Sequence, residues 1–208
     1  MRTAKTRPAT GDRPRRTGRD PQRTRGHLLT ASAEIFNRDG YYGTDTNRLA
    51  AAAGYAPATF YKHFTDKRDI FLQTYDQWVA REWQAIERLV TAPEDPARLI
   101  ERIVDTVMAH HRRWARFRVS LVALATTDPE AAAFRIARRR TQIELFGEVL
   151  GRLGGPPTSR ARTLSILLTF ERLCDAVATG EARALGVSRA DAAGELRALL
   201  ASVTNATP

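Results

Sequence analysis

Between Thr59 and Lys67 the chain sets Thr59, Tyr61, Lys62, His63 and Lys67 around two apolar residues, Phe60 and Phe64. Hydroxyl, phenol, ammonium and imidazole groups are hydrogen-bond donors suited to phosphate oxygens and to the acceptor edges of bases. Phe60 and Phe64 are four apart and would bury together on one helix face. Other chemistry is sparse. Cys174 is the only cysteine, so no internal disulfide is expected, and no histidine is placed beside it by motif. No Gly-x-Ser-x-Gly elbow occurs. His110 and His111 have no ligand-type partner one helical turn on, so a metal site is not expected. Neither catalysis nor a cofactor is indicated.

The donor cluster needs a scaffold, and residues 24–71 read as one. Leu28, Ala31, Ser32, Ile35 and Phe36 make the stripe of a first helix, ended by Gly40. Asp45 is placed to cap a second helix that packs through Leu49, Ala50 and Ala53. Gly54 makes a turn, and Pro57 suits the start of a third helix, where its missing N–H is no loss. Asp66 and Asp69 predict a cap and partial capping box for a long fourth helix. Two short helices about a tight turn form a helix-turn-helix, whose second helix fits a DNA major groove. Lys67 then sits where a cation is disfavoured by the helix dipole, unless a phosphate docks there.

Gly40-Tyr41, Thr44, Leu49-Ala50, Ala53-Gly54, Thr59-Phe60-Tyr61, His63-Phe64 and Lys67 resemble the DNA-binding domain of the TetR/AcrR family of bacterial regulators. The likeness covers about a quarter of the chain. It implies that Thr46 and Asn47 touch the DNA backbone or a base edge. It also implies that Pro57, Ala58, Thr59, Lys62 and His63 form the reading face; Lys67 at its helix start and Tyr61, whose hydroxyl can reach phosphate, are expected on phosphate by their own chemistry. Lys62 could donate to guanine, and the methyls of Ala58 or Thr59 could meet a thymine methyl. His63 is open between phosphate donor and packing residue. Two positions depart from the family pattern: Ala56 replaces a capping Ser, a loss of about 1 kcal/mol, and Thr46 replaces an apolar residue.

Charge follows this layout. Residues 1–64 hold 12 Lys/Arg against 5 Asp/Glu, a net +7; the other 144 residues hold 21 against 18, a net +3. Positive charge therefore gathers at the DNA-reading end. Residues 1–22, rich in Arg, Pro, Thr and Gly, predict a disordered basic arm that either adds DNA contacts or is inert. Arg23 and Arg25, beside the first helix, are the better placed contacts. No apolar run is long enough for a membrane span, and the basic start lacks the apolar stretch of a secretory signal, so a bacterial cytoplasmic protein is expected.

Residues 67–208 read as wholly helical. Helices are expected from Lys67 to about Val90, from Asp95-Pro96, from Trp114 to Ala125, from Asp128-Pro129 to Leu153, from Ser159 to Ala178 and from Ser188. In the helix after Ser159, Leu164, Ile166, Leu167, Leu168, Phe170, Leu173, Cys174 and Val177 surround most of the circumference. A helix apolar all round must be covered all round, so a second subunit is expected, with Leu164, Leu168, Leu196, Leu199 and Leu200 at the interface. Two recognition helices entering successive grooves about 34 Å apart also need a two-fold dimer. Tyr75, Trp78, Met108, His111, Trp114, Phe117, Phe134, Phe146, Phe170, Glu171 and Cys174 are candidates to line a cavity or simply to pack a core. Glu171 and Asp175, one turn apart, could attract a cation or pair with arginines.

The expectation is therefore an all-α chain: an N-terminal three-helix helix-turn-helix domain (23–66) and a C-terminal helical ligand-binding and dimerisation domain (67–208). Its function would be a dimeric repressor on a near-palindromic double-stranded DNA operator, released by a small-molecule effector. The alternative is a constitutive or architectural DNA-binding protein whose larger domain only dimerises.

Overall fold

Asp20 accepts a hydrogen bond from the Gln22 amide and opens the first helix, α1 (Pro21–Asp39), with Pro21 at its first position. The helix thus starts before the expected end of the basic arm, because Asp20 and Pro21 together form a start signal. The computed structural model describes residues 20–92 and 94–204; the arm from residue 1 to 19 lies outside them. Among the described residues there are ten helices and no strand.

The remaining helices are α2 (Thr46–Ala52), α3 (Pro57–Phe60), α4 (Lys67–Val90), α5 (Pro96–Arg113), α6 (Ala115–Leu124), α7 (Pro129–Arg152), α8 (Arg160–Thr179), α9 (Glu181–Ala184) and α10 (Arg189–Thr204). Their starts follow a common device. The side chains of Asp45, Asp66, Asp95, Asp128 and Ser159 each accept a hydrogen bond from a backbone amide of the first turn. Gly40 and Gly54 take positive φ, 75° and 76°, and turn the chain out of α1 and between α2 and α3. A Cβ at Gly40 would also press on the Ser120 hydroxyl at 3.3 Å. The four-residue α9, entered through left-handed Gly180, is absent from the sequence expectation.

Two cores organise these helices. The first joins Leu28 and Phe36 of α1, Leu49 and Ala50 of α2, Phe60, Phe64, and Ile70 and Phe71 of α4 to Phe117 and Leu121 of α6. Phe36, Phe71 and Phe117 meet ring to ring, with centroids 4.9–5.9 Å apart. The expected domain boundary at residue 66 therefore cuts through a continuous core. The second core is built from α5, α7, α8 and α10 around Ile100, Val104, Phe146, Leu150, Phe170, Leu196 and Leu200. Leu196 and Leu200 are each 1% exposed, so they pack their own subunit and are withdrawn from the expected interface. Along α8, Ile166, Leu167, Phe170 and Cys174 face that core, Leu164, Leu173 and Val177 are partly covered, and Leu168 remains 44% exposed. Leu199 is half-buried.

One helix belongs to both cores. α4 gives Phe71, Tyr75 and Trp78 to the first and Ile86 to the second, with Trp83 packed against each. At 1.5 Å per residue its 24 residues span about 36 Å.

Candidate nucleic-acid interface and interior cavity

Leu49, Ala50, Phe60 and Phe64 anchor the helix-turn-helix from below, and this leaves the polar residues of α2 and α3 outward. Asn47, Pro57, Ala58 and Lys62 are exposed, Thr46, Thr59 and His63 half-buried, and Tyr61 is 56% exposed. The Tyr61 and Thr46 hydroxyls lie 3.0 Å apart, tying the start of α2 to the end of α3. The polar Thr46 thus has a partner in the fold. Ala56 makes no side-chain cap, and α3 runs only to Phe60 before a single turn, Tyr61–His63. Tyr42, absent from the expected contacts, stands 67% exposed in the turn before α2, edge-on to Tyr41.

Two expected DNA contacts have other partners. The Lys67 ammonium donates to the carbonyl oxygens of Tyr41 and Thr44, each at 2.9 Å, and sits 4.3 Å from the Tyr41 ring centre. Partial burial lowers its pKa, against the pull of Asp45. Those carbonyls answer the cation placed at the helix start without any phosphate. Arg25 donates to the Gln73 side chain and lies 5.4 Å over Phe64, so it braces α1 on α4. Arg23 is exposed at the first turn of α1.

The larger domain holds a buried ionic network. Arg118 grips Asp175 with two nitrogens, at 2.8 and 3.3 Å; Arg139 reaches Glu171 at 2.7 Å. His111 Nδ1 lies 2.8 Å from Asp175. Burial alone would raise Asp175, but the His111 hydrogen bond and the Arg118 charge outweigh it and hold the carboxyl at about 2. Glu171 and Asp175 are thus matched internally, which removes the reading that they attract a cation. His110 stacks on Trp78, centroids 4.6 Å apart, and burial with the adjoining His111 pulls it down to about 3. Burial pushes the Cys174 thiol up, away from its thiolate form.

Glu82 of α4 differs. It is 7% exposed, faces His111 Nε2 at 3.8 Å and His110 Nε2 at 3.9 Å, and makes no hydrogen bond among the described residues. Burial pushes its carboxyl up to about 8; Arg118 offsets this in part, and Glu171 and Asp175 add to it. Glu82 borders an interior cavity of about 30 Å³ with Trp83, His111, Gln142, Phe146 and Phe170. A second cavity of about 380 Å³ opens to the surface beside it, bordered by Tyr75, Arg118, Val122, Arg139 and Leu168; Glu171 borders both.

Of the expected pocket residues, His111, Phe146, Phe170 and Glu171 border the interior cavity and Tyr75 the outer one. Trp78, Trp114 and Phe117 are packed in the first core, with Phe134 partly buried against it; Met108 and Cys174 are packed in the second. Among the described residues no three His, Cys, Asp or Glu side chains converge as a metal site, and no helix is long and apolar enough to cross a membrane.

An all-helical chain that presents an exposed, donor-rich helix-turn-helix on one end is a DNA-binding protein by class. Residues 28–74 match the bacterial regulatory proteins of the tetR family. HTH-type transcriptional regulator AcrR of Shigella flexneri is 28% identical over 95 residues, 45% of this chain and 44% of that protein; the alignment therefore spans less than half of that relative. HTH-type transcriptional regulator UidR of Escherichia coli K12 is 24% identical over 205 residues, 90% of this chain and 96% of UidR. A solved TetR-family structure from Rhodococcus sp. shares the fold with a TM-score of 0.73 at 16% identity, over 88% of this chain and 99% of that one. The chain belongs to the tetR family of bacterial regulatory proteins: it is a helix-turn-helix transcriptional regulator and not an enzyme.

Proposed function

We propose that the protein acts in the bacterial cytoplasm as a homodimeric repressor. It would bind a near-palindromic operator through Thr46, Asn47, the α3 face and Tyr61, and a small molecule held in the larger domain would release it. The observation that carries this reading is the position of α4. Its first turn braces the helix-turn-helix through Lys67, and its later turns border both cavities through Tyr75, Glu82 and Trp83. A molecule that fits only when α4 has shifted lowers operator affinity by its differential binding to the two states, about 1–3 kcal/mol in comparable systems. The second reading, a constitutive DNA-binding protein, draws support from the small interior cavity, which holds roughly two waters.

Selection of genomic fragments by the purified protein, with and without metabolite extract, separates the two. A recovered near-palindrome that some fraction releases is the expected result. A palindrome that no fraction releases favours the constitutive reading, and no enrichment overturns both.

A further inference from the structure

The interior cavity has a chemical character of its own. Three aromatic rings, Trp83 from α4, Phe146 from α7 and Phe170 from α8, share its wall. Glu82 and Gln142 end in it, 7% and 6% exposed, and neither side chain has a hydrogen-bond partner among the described residues. The indole nitrogen of Trp83 is also buried without a partner. Aromatic rings grouped with a carboxyl are a recognition chemistry for alkylated ammonium groups.

We infer that this cavity binds an organic cation bearing an alkylated ammonium group, caged by Trp83, Phe146 and Phe170, with the Glu82 carboxylate as its counter-ion. The inference rests on the ligand-released reading above and names the ligand class.

Charge bookkeeping points the same way. Glu82 faces His110 and His111 of α5, Arg118 of α6, and Glu171 and Asp175 of α8; Arg139 of α7 pairs with Glu171, and Tyr75 lies on its own helix. Arg118 and Arg139 balance Glu171 and Asp175, and burial keeps both histidines neutral. The network is therefore neutral with Glu82 protonated, and one further positive charge lets Glu82 ionise. A quaternary ammonium brings no proton, so Glu82 gives its own to solvent as the ion pair forms. The unliganded volume is small, so the cation must part α4 from α7 and α8. The same movement would carry the helix that braces the DNA-binding end.

The test is calorimetric titration of the full-length protein with benzyltrimethylammonium and with its uncharged isostere, neopentylbenzene, in two buffers of different ionisation enthalpy. The cation should bind at least about tenfold tighter than the isostere. With Glu82 at about 8, binding at pH 7 should release about nine-tenths of a proton, and affinity should increase about tenfold for each unit that pH is raised toward 8. Glu82→Gln should abolish proton release and lower cation affinity about tenfold, while its melting temperature stays equal to or above that of the parent. Equal binding of the two probes, no binding of either, or unchanged cation binding by Glu82→Gln overturns the inference; with no binding, the cavity simply holds water. Operator release by a neutral or anionic molecule would defeat the cation while leaving ligand release intact. Cation binding with proton release but no effect on operator would do the reverse.

Discussion

Lys67 illustrates how one side chain can satisfy two physical demands. A cation at a helix start is unfavourable, and the carbonyls of Tyr41 and Thr44 supply the negative potential that offsets it. Lys67→Met should therefore lower stability by about 1–2 kcal/mol in urea unfolding, because two charge-assisted hydrogen bonds are lost from a half-exposed site. Unchanged stability with weakened DNA binding would instead make Lys67 a phosphate contact. Glu82 supports a pH prediction. Its folded pKa, about 8, lies above the 4.5 of an exposed glutamate, so its contribution is complete below 4.5 and is lost as pH rises to 8. His110 is shifted the other way, to about 3, so its contribution is complete above 6.5 and is lost as pH falls. Between pH 6.5 and 8 only Glu82 acts among these two. The protein should lose about 2 kcal/mol of stability across that window, and Glu82→Gln should flatten the slope. An equally steep slope in the variant would assign the loss to another group.

At the scale of elements, α3 is the helix-turn-helix segment with the weakest start. Pro57 sets its backbone, but Ala56 offers no acceptor to the free amides. Ala56→Ser should add about 1 kcal/mol to unfolding stability; no gain would mean the neighbouring turn cannot seat the hydroxyl. The same capping logic explains why most of the fold was legible in the sequence. Asp45, Asp66, Asp95, Asp128 and Ser159 announce helix starts by local chemistry, and each makes the cap. Where sequence reading fell short, the deciding contact was long-range. The four residues of α9 are too few for a periodic stripe. Trp78, Trp114 and Phe117 look like pocket residues until α6 is seen to pack on α1. Glu82, in the run Ala80-Arg81-Glu82-Trp83-Gln84, reads as a solvated charge, and only the two histidines of α5 and the cavity wall reveal that it is buried. The pairing of Arg118 with Asp175, 57 positions away, has no local signature at all.

At the scale of the whole molecule, α8 and α10 divide their apolar residues between core and surface. Leu168 is exposed while Leu196 is not. Leu168→Glu should convert a dimer to a folded monomer in sedimentation, with its helical content kept. Leu196→Ala should lower stability by about 2–5 kcal/mol without a specific effect on association. If Leu168→Glu remains a dimer, the interface lies elsewhere. In the proposed dimer the larger domain sets the spacing of the two DNA-binding ends, and that spacing can be measured. A spin label on Ala52→Cys lies on the exposed end of α2, and buried Cys174 should stay unlabelled. Distances between labels should form one narrow population on operator DNA, and should move to longer values when the releasing fraction is added. Release of the operator with an unchanged label distance, or no distance between subunits at all, would contradict the account.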